Sequence, residues 1–244
     1  MKYVHLLLLV SSMILFSGCD IVLSVLENTA SDADPTPTQT EIIQGLKQAL
    51  AEGTARAITG LSAEGGYGND PTVFIPFPPE AQFAADKLQQ LGLGSLIDRF
   101  VARLNEGAER GAKEAGPIFK DAILAMTFAD ARGILLGQDQ HAATAYFERT
   151  TRTALYNTFS PKIEQVLSQV HAVEIWQQLT SRYNSIPLVR KKVETDIVKY
   201  ATNKALDGLF LKLSQEEENI RQDPFARTTN LLKKVFEYAA RHNR

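Results

Sequence analysis

Apolar residues recur along this chain at spacings of three and four, the period of helices with one face turned to a core. Ile43, Leu46, Leu50, Ala57 and Leu61 form the first such stripe, on a helix expected to start near Glu41 with Thr40 as its N-cap. Gly65-Gly-Tyr-Gly-Asn-Asp-Pro71 then interrupts the period and reads as a mobile loop. The Pro-rich stretch at 72–79 is predicted to be extended, because each proline restricts the residue before it; strand-like backbone is expected here alone. Helical periodicity returns over about 80–91, 95–113, 117–126, 128–136 and 140–159. Thr127 and Asp130 have the spacing of a capping box, Gly137 marks a helix end, and Asp139 is placed to cap the next helix. Ser160-Pro161 reads as an N-cap followed by proline in the first turn, opening helices at about 161–170, 172–183 and 189–221, the last with a break near Glu194. Val198, Ala201, Ala205, Leu209 and Leu213 give that segment its core stripe. Asp223-Pro224 restarts a final helix, with Phe225, Leu231, Leu232, Val235 and Phe236 facing inward. The fold class is all-α or nearly so: a single multi-helix domain at 40–244 with one short extended segment near 72–79.

The first forty residues do not follow this pattern. Lys2 precedes an apolar run at 4–16, broken by His5, Ser11 and Ser12, and Ser17-Gly-Cys19 follows at once. The run is too short to span a bilayer comfortably and reads as a signal peptide over 1–18. Small residues before a lone cysteine resemble the bacterial lipobox, with Phe16 where leucine is usual and Leu15 one place earlier. Cys19 is then the expected lipidation site, carrying acyl chains such as palmitate; the alternative is an ordinary secretory signal with an incidental cysteine. As the chain's single cysteine it excludes an intramolecular disulfide. By resemblance to enteric lipoproteins, Asp20 favours retention in the inner membrane, with the outer membrane left open. Residues 19–39, rich in Pro, Thr and Asp toward their end, form a flexible tether.

Composition narrows the function classes. With 44% hydrophobic residues and a net charge of -2, the chain is ordinary globular material without a field to attract nucleic acid, so no nucleic-acid partner is expected. His141, His171 and His242 fall on separate predicted helices and share no metal-site spacing with one another, so neither metal nor cofactor is expected. No nucleophile elbow, zincin or phosphate-loop motif occurs. Glu216-Glu-Glu218 with Asp223 reads as a solvated face, and Arg190-Lys-Lys192 as a weak basic run that could touch anionic headgroups.

Two features are less bland. Phe-x-Arg-Thr-Thr occurs at 147–151 and again at 225–229. Arg149 and Arg227 are expected either to pair with carboxylates such as Glu148, Asp207 or Glu217, or to converge on one anionic ligand. Asp207-Gly208 sits inside an apolar helical segment, where glycine costs about 1 kcal/mol relative to alanine. Close packing against Gly208 is one explanation; a ligand against Gly208, with Asp207 at its mouth, is the other.

Several segments carry a family resemblance: Gly45-Leu-Lys-Gln-Ala-Leu50, Ile75-Pro-Phe-Pro78, Asn105 with Ala108-Glu109, Phe119-Lys-Asp-Ala-Ile123 with Met126-Thr127, and Ala142-Ala-Thr-Ala-Tyr-Phe147. Tyr183-Asn184, Lys204-Ala-Leu-Asp-Gly-Leu-Phe210, Ile220-Arg-Gln-Asp-Pro224 and Ala226-Arg-Thr-Thr229 continue it. Together they resemble the Gram-negative envelope family named domain of unknown function 4197. The resemblance implies an exported, helical, non-cytoplasmic protein and no particular activity. The expected role is a non-catalytic binding or scaffold module, lipid-anchored and facing the periplasm, with an envelope protein or lipid as partner. A carrier of a hydrophobic small molecule and an enzyme acting on envelope polymers are the alternatives.

Overall fold

Thr38 opens the folded part. Its hydroxyl accepts the Glu41 N–H at 3.2 Å, and the Glu41 carboxylate accepts the Thr38 N–H at 2.8 Å. This reciprocal box starts α1 (Gln39–Ser62). Thr40, the expected cap, lies inside the helix because Thr38 is the threonine with a glutamate three residues on. In this computed structural model the described residues are 36–242, apart from 91, 93, 186, 188–191 and 195. The expected signal peptide, Cys19, the tether up to residue 35, Arg190 and Lys191 lie outside them.

After α1 come α2 (Gln82–Gln90), α3 (Gly94–Ala112), α4 (Ala115–Ala125), α5 (Phe128–Leu136) and α6 (Ala142–Ser168). They are followed by α7 (Ala172–Asn184), α8 (Ile197–Gln222) and α9 (Asn230–His242), with short 3-10 turns at Pro79–Ala81 and Pro224–Ala226. No strand occurs among the described residues, so 72–76 is irregular chain without ladder pairing and the domain is all-α. No helix among them is long and apolar enough to cross a membrane.

The centre of the bundle is α6, which packs on α3 and α8; α8 packs on α1, and α4, α5 and α9 also lie against α1. Leu155, Phe159, Ile163 and Leu167 of α6 expose no surface. Each such side chain contributes roughly 1.5–3 kcal/mol by leaving water. Helices α3 and α6 approach through glycines: a Cβ on Gly111 would lie 2.6 Å from the Phe159 ring, and one on Gly107 3.0 Å from the Ile163 Cα. A larger residue at either place would force the two helices apart.

Pro161 lies within α6, so the expected break at 160–161 does not occur. A proline inside a helix costs about 3 kcal/mol. Here Phe159 and Ile163, both fully buried, hold the helix on either side of it. The carbonyl freed by the missing N–H belongs to Asn157; that residue and Pro161 are both exposed, so water can serve it. α8 begins at Ile197 instead of near 189, because Asp196 caps it by accepting the Lys199 N–H at 2.9 Å. Just before it, Asn184 clamps Val193 by accepting its N–H and donating to its carbonyl, both at 2.8 Å. Trp176 donates to the Glu194 carbonyl at 3.0 Å. These bonds hold 193–194 outside any helix.

Candidate functional site

The two Phe-x-Arg-Thr-Thr copies fold differently. On α6, Phe147 is buried and Arg149 is exposed, its guanidinium 5.7 Å from the Tyr146 ring centre. The second copy lies in the turn between α8 and α9, where Phe225 is 94% exposed, against the expectation that it faces inward. Pro224 opens that turn and Asp223 accepts the Phe225 N–H at 2.8 Å, which directs the ring outward. Arg227 is buried over Phe236 and donates to the carbonyls of Ile220 (3.2 Å) and Arg221 (2.8 Å). It thus serves last-turn carbonyls of α8 that lack partners within the helix. Burial lowers its pKa, opposed by the charges of Glu237 and Asp223. Arg149 and Arg227 share no partner among the described residues.

The carboxylates expected to meet those arginines are taken by others. Arg152 bonds Glu148 at 2.8 Å and Asp207 at 2.7 Å, and Arg221 bonds Glu217 at 2.7 Å. Glu217 is only 9% exposed, which corrects its assignment to a solvated acidic face. Successive helical residues point about 100° apart, so consecutive glutamates need not share a face, and Glu217 falls on the side of α8 turned to α6. From α8 its carboxylate accepts the N–H groups of Ala143 (3.0 Å) and Thr144 (2.9 Å) and the Thr144 hydroxyl (2.9 Å). A carboxylate here suits the positive end of α6. Glu216 instead bonds Arg56 at 2.7 Å, and Glu218 is exposed. His141, His171 and His242 are exposed, and no metal-binding cluster of His, Cys, Asp or Glu occurs among the described residues.

Gly208 marks where a loop docks. A Cβ there would lie 3.0 Å from the Tyr67 ring and 3.1 Å from the Val73 Cβ, so protein packing, not a ligand, fills the approach. The Gly65–Gly68 loop is accordingly tied down, correcting its reading as mobile. Gly65 turns it with φ +78, a conformation that favours glycine. Tyr67 is fully buried and its hydroxyl donates to the Ala205 carbonyl at 2.8 Å. Burial, reinforced by the charge of Glu109, pushes that phenol far above its ordinary value. The N–H groups of Tyr67 (3.1 Å) and Gly68 (3.2 Å) both donate to one Glu109 oxygen.

Farther along, buried Asn105 accepts the Ile75 N–H and donates to the Ile75 carbonyl, both at 2.9 Å. Lys212 bonds Asp70 at 2.6 Å, and the Tyr200 hydroxyl donates to the Pro76 carbonyl at 3.2 Å. Burial, with the charge of Glu80, raises Tyr200 to about 12. Phe77 closes the segment against Phe100 and Trp176, at ring separations of 5.6 and 5.5 Å.

Between this loop and α3 lies an open cleft of about 830 Å³. Glu64, Asn69, Phe74, Pro76 and Phe77 line it on the loop side. Asp98, Val101, Ala102, Asn105, Glu106 and Glu109 line it from one stripe of α3, at helical spacings of three and four. No lysine, arginine, serine, histidine or cysteine is among the lining residues. Burial raises the Glu106 carboxyl, but hydrogen bonds and charge from Arg103 and Arg110 outweigh it and hold the group below the usual range. Glu64 and Asp98 have no ion-pair partner among the described residues. Spaces elsewhere in the core, around Leu50, Ala143 and Glu217, are about 20 Å³ each, the room of a single water. Sequence reasoning missed this cleft, because a polar stripe on a helix reads as a solvated face. Asn105 and Glu109 stood out only as marks of family resemblance, and they prove to be the α3 side chains that hydrogen-bond the loop backbone.

No curated protein and no solved structure matches the chain. A family model described as "Protein of unknown function (DUF4197)" matches residues 36–237, from the start of the described domain into α9. The chain belongs to that family.

Proposed function

We propose that this chain is a lipid-anchored protein of the bacterial envelope, facing the periplasm, whose helical domain is a non-catalytic binding module working through the cleft between α3 and the docked loop. The cleft carries the binding reading. Its volume of about 830 Å³ suits a ligand site, and both walls are fixed before any ligand arrives, the loop by Tyr67, Asn105 and Glu109. The anchor rests on the apolar run at 4–16 followed by Ser17-Gly-Cys19. A carrier of a hydrophobic molecule gains less support, since the core spaces around Leu50 are a single water in size. Glycoside hydrolysis of an envelope polymer would need a carboxyl held protonated as a general acid, and a Ser/His mechanism would need residues absent from the cleft lining. Arg103 and Arg110 do the opposite to Glu106, and Glu109 commits an oxygen to the loop backbone.

A photo-crosslinking residue at Ala102, which is exposed in the cleft, tests the binding reading in living cells, with the same residue at exposed Gln215 as control. One recurring adduct from Ala102, missing from Gln215 and blocked by Val101→Trp, is the expected result. Identical adducts from both positions, or none, would sink it. For the anchor, metabolic labelling with an alkynyl palmitate analogue should mark the wild type and not Cys19→Ser; equal labelling of both overturns it.

A further inference from the structure

We infer, on the reading that this cleft is a binding site, that its occupant is an extended, basic-and-apolar segment of a partner protein, with Lys or Arg alternating with apolar residues. Charge complementarity is the first ground. Four carboxylates, Glu64, Asp98, Glu106 and Glu109, line the cleft, and no basic side chain does. Arg103 and Arg110 neutralise Glu106 from the flank, while Glu64 and Asp98 have no ion-pair partner among the described residues. A bound cation would therefore meet negative charge that the fold itself leaves uncompensated.

The shape supplies the second ground. Asp98 to Glu109 spans roughly 16 Å along α3 at about 1.5 Å per residue. Some five residues of extended chain cover the same length at about 3.3 Å each. Side chains of an extended peptide point alternately to opposite sides. An alternating segment would turn its cations to the carboxylates of α3 and its apolar residues to Phe74, Pro76 and Phe77 on the loop. Phe74 is 41% exposed, a large apolar surface that such a segment would cover. A small polyamine would meet the charges and leave Phe74 bare, so the apolar wall favours the peptide.

Fluorescence anisotropy with the purified full-length chain in a neutral detergent tests this, using a labelled Lys-Val-Lys-Val-Lys peptide and its Glu-Val-Glu-Val-Glu counterpart. The basic peptide should bind saturably, more weakly as salt rises, and the acidic one should not. Glu64→Gln/Asp98→Asn should weaken the basic peptide roughly tenfold. The exposed pair Glu164→Gln/Glu218→Gln should leave its affinity within about twofold. Neither Glu64 nor Asp98 makes a described hydrogen bond or ion pair, so Glu64→Gln/Asp98→Asn should melt like the wild type. Ala102→Trp, which puts an indole ring into the cleft, should abolish binding whatever the charge variants do. Equal affinity for the acidic peptide, or an unchanged affinity in Glu64→Gln/Asp98→Asn, overturns the basic class. A peptide displaced by spermidine but bound as well by Phe74→Ser shows a cation site only and overturns the peptide assignment. If no peptide binds while the Ala102 crosslink persists, the cleft remains a binding site and the inference alone falls; loss of both overturns the two together.

Discussion

Glu217→Ala is the substitution that most directly probes what holds this bundle together. Glu217 is 9% exposed and its two oxygens accept from Ala143 N, Thr144 N and the Thr144 hydroxyl, while Arg221 bonds it at 2.7 Å. Alanine would leave the first N–H groups of α6 without their cap, a loss of about 1–2 kcal/mol when a side-chain cap is removed. It would also strand Arg221, whose side chain is 11% exposed; breaking a buried pair from one side typically costs about 3–5 kcal/mol. These terms overlap, and Arg221 keeps its bond to the Ile134 carbonyl at 2.8 Å, so the expected total is about 3–5 kcal/mol. In a domain of this size that lowers Tm by roughly 10 °C. Urea unfolding followed by circular dichroism should show a lower midpoint with an unchanged slope. Glu217→Gln keeps an oxygen for the cap and should lose less. The double variant Glu217→Leu/Arg221→Leu should recover part of the loss, because it removes the stranded charge. A Glu217→Ala protein within about 1 kcal/mol of the wild type would refute the account of Glu217 as a cap in trans.

Gly208→Ala places a Cβ 3.0 Å from Tyr67 and 3.1 Å from Val73; it should destabilise by about 1–3 kcal/mol and speed proteolysis within the loop, as limited chymotrypsin digestion at Tyr67 and Phe74 would reveal. Phe225→Ser should leave the melting temperature within about 2 °C, since the ring is 94% exposed; a large drop in calorimetry would contradict the outward placement. Lys212 and then Thr72 lower Asp70 to about 2, while Lys234 and then Thr38 lower Glu41 to about 2. Because both folded values lie below the unfolded ones near 4, their stabilisation is present above pH 4 and disappears as pH falls toward 2. Urea midpoints at pH 5, 4, 3 and 2 should fall across that window, and Asp70→Asn with Glu41→Gln should flatten the fall; an equal slope in the variant removes these pairs from the account.

Helical periodicity carried the fold a long way because burial and period are the same fact on a helix: Leu46, Leu50, Ala57 and Leu61 are buried on α1 as their spacing requires. The errors fall where local chemistry was outweighed by tertiary contacts. Ser160-Pro161 has the local form of a helix start, yet α6 runs through it because residues four apart on both sides share one buried face. Thr38, not Thr40, caps α1 because Glu41 stands three residues after it, as a capping box needs. Phe225 shares the Phe-x-Arg-Thr-Thr pattern of Phe147, and Pro224 places it in a turn where the ring points to water. Repetition of a pentad therefore did not mean repetition of an environment.

The cleft was illegible for a different reason. Its acidic wall is written plainly at Asp98, Glu106 and Glu109, but a row of charges on a helix has the same pattern whether it faces bulk water or a second wall. The second wall exists only because Tyr67 reaches the Ala205 carbonyl, Gly208 leaves room for its ring, and Asn105 takes both backbone groups of Ile75. Those contacts join residues 30 to 141 positions apart, beyond the reach of any periodicity. They also explain why glycine stands at 208 in the middle of an apolar helix. The approx. 1 kcal/mol it costs α8 is what admits the ring that fixes the loop. In this protein Tyr67 and Gly208, which dock the loop, are buried away from the cleft, while Glu64 and Asp98, which would meet the ligand, look like ordinary surface. A search for reactive motifs misses both sets, and only the docking of the 65–77 loop on α3 and α8 tells them apart.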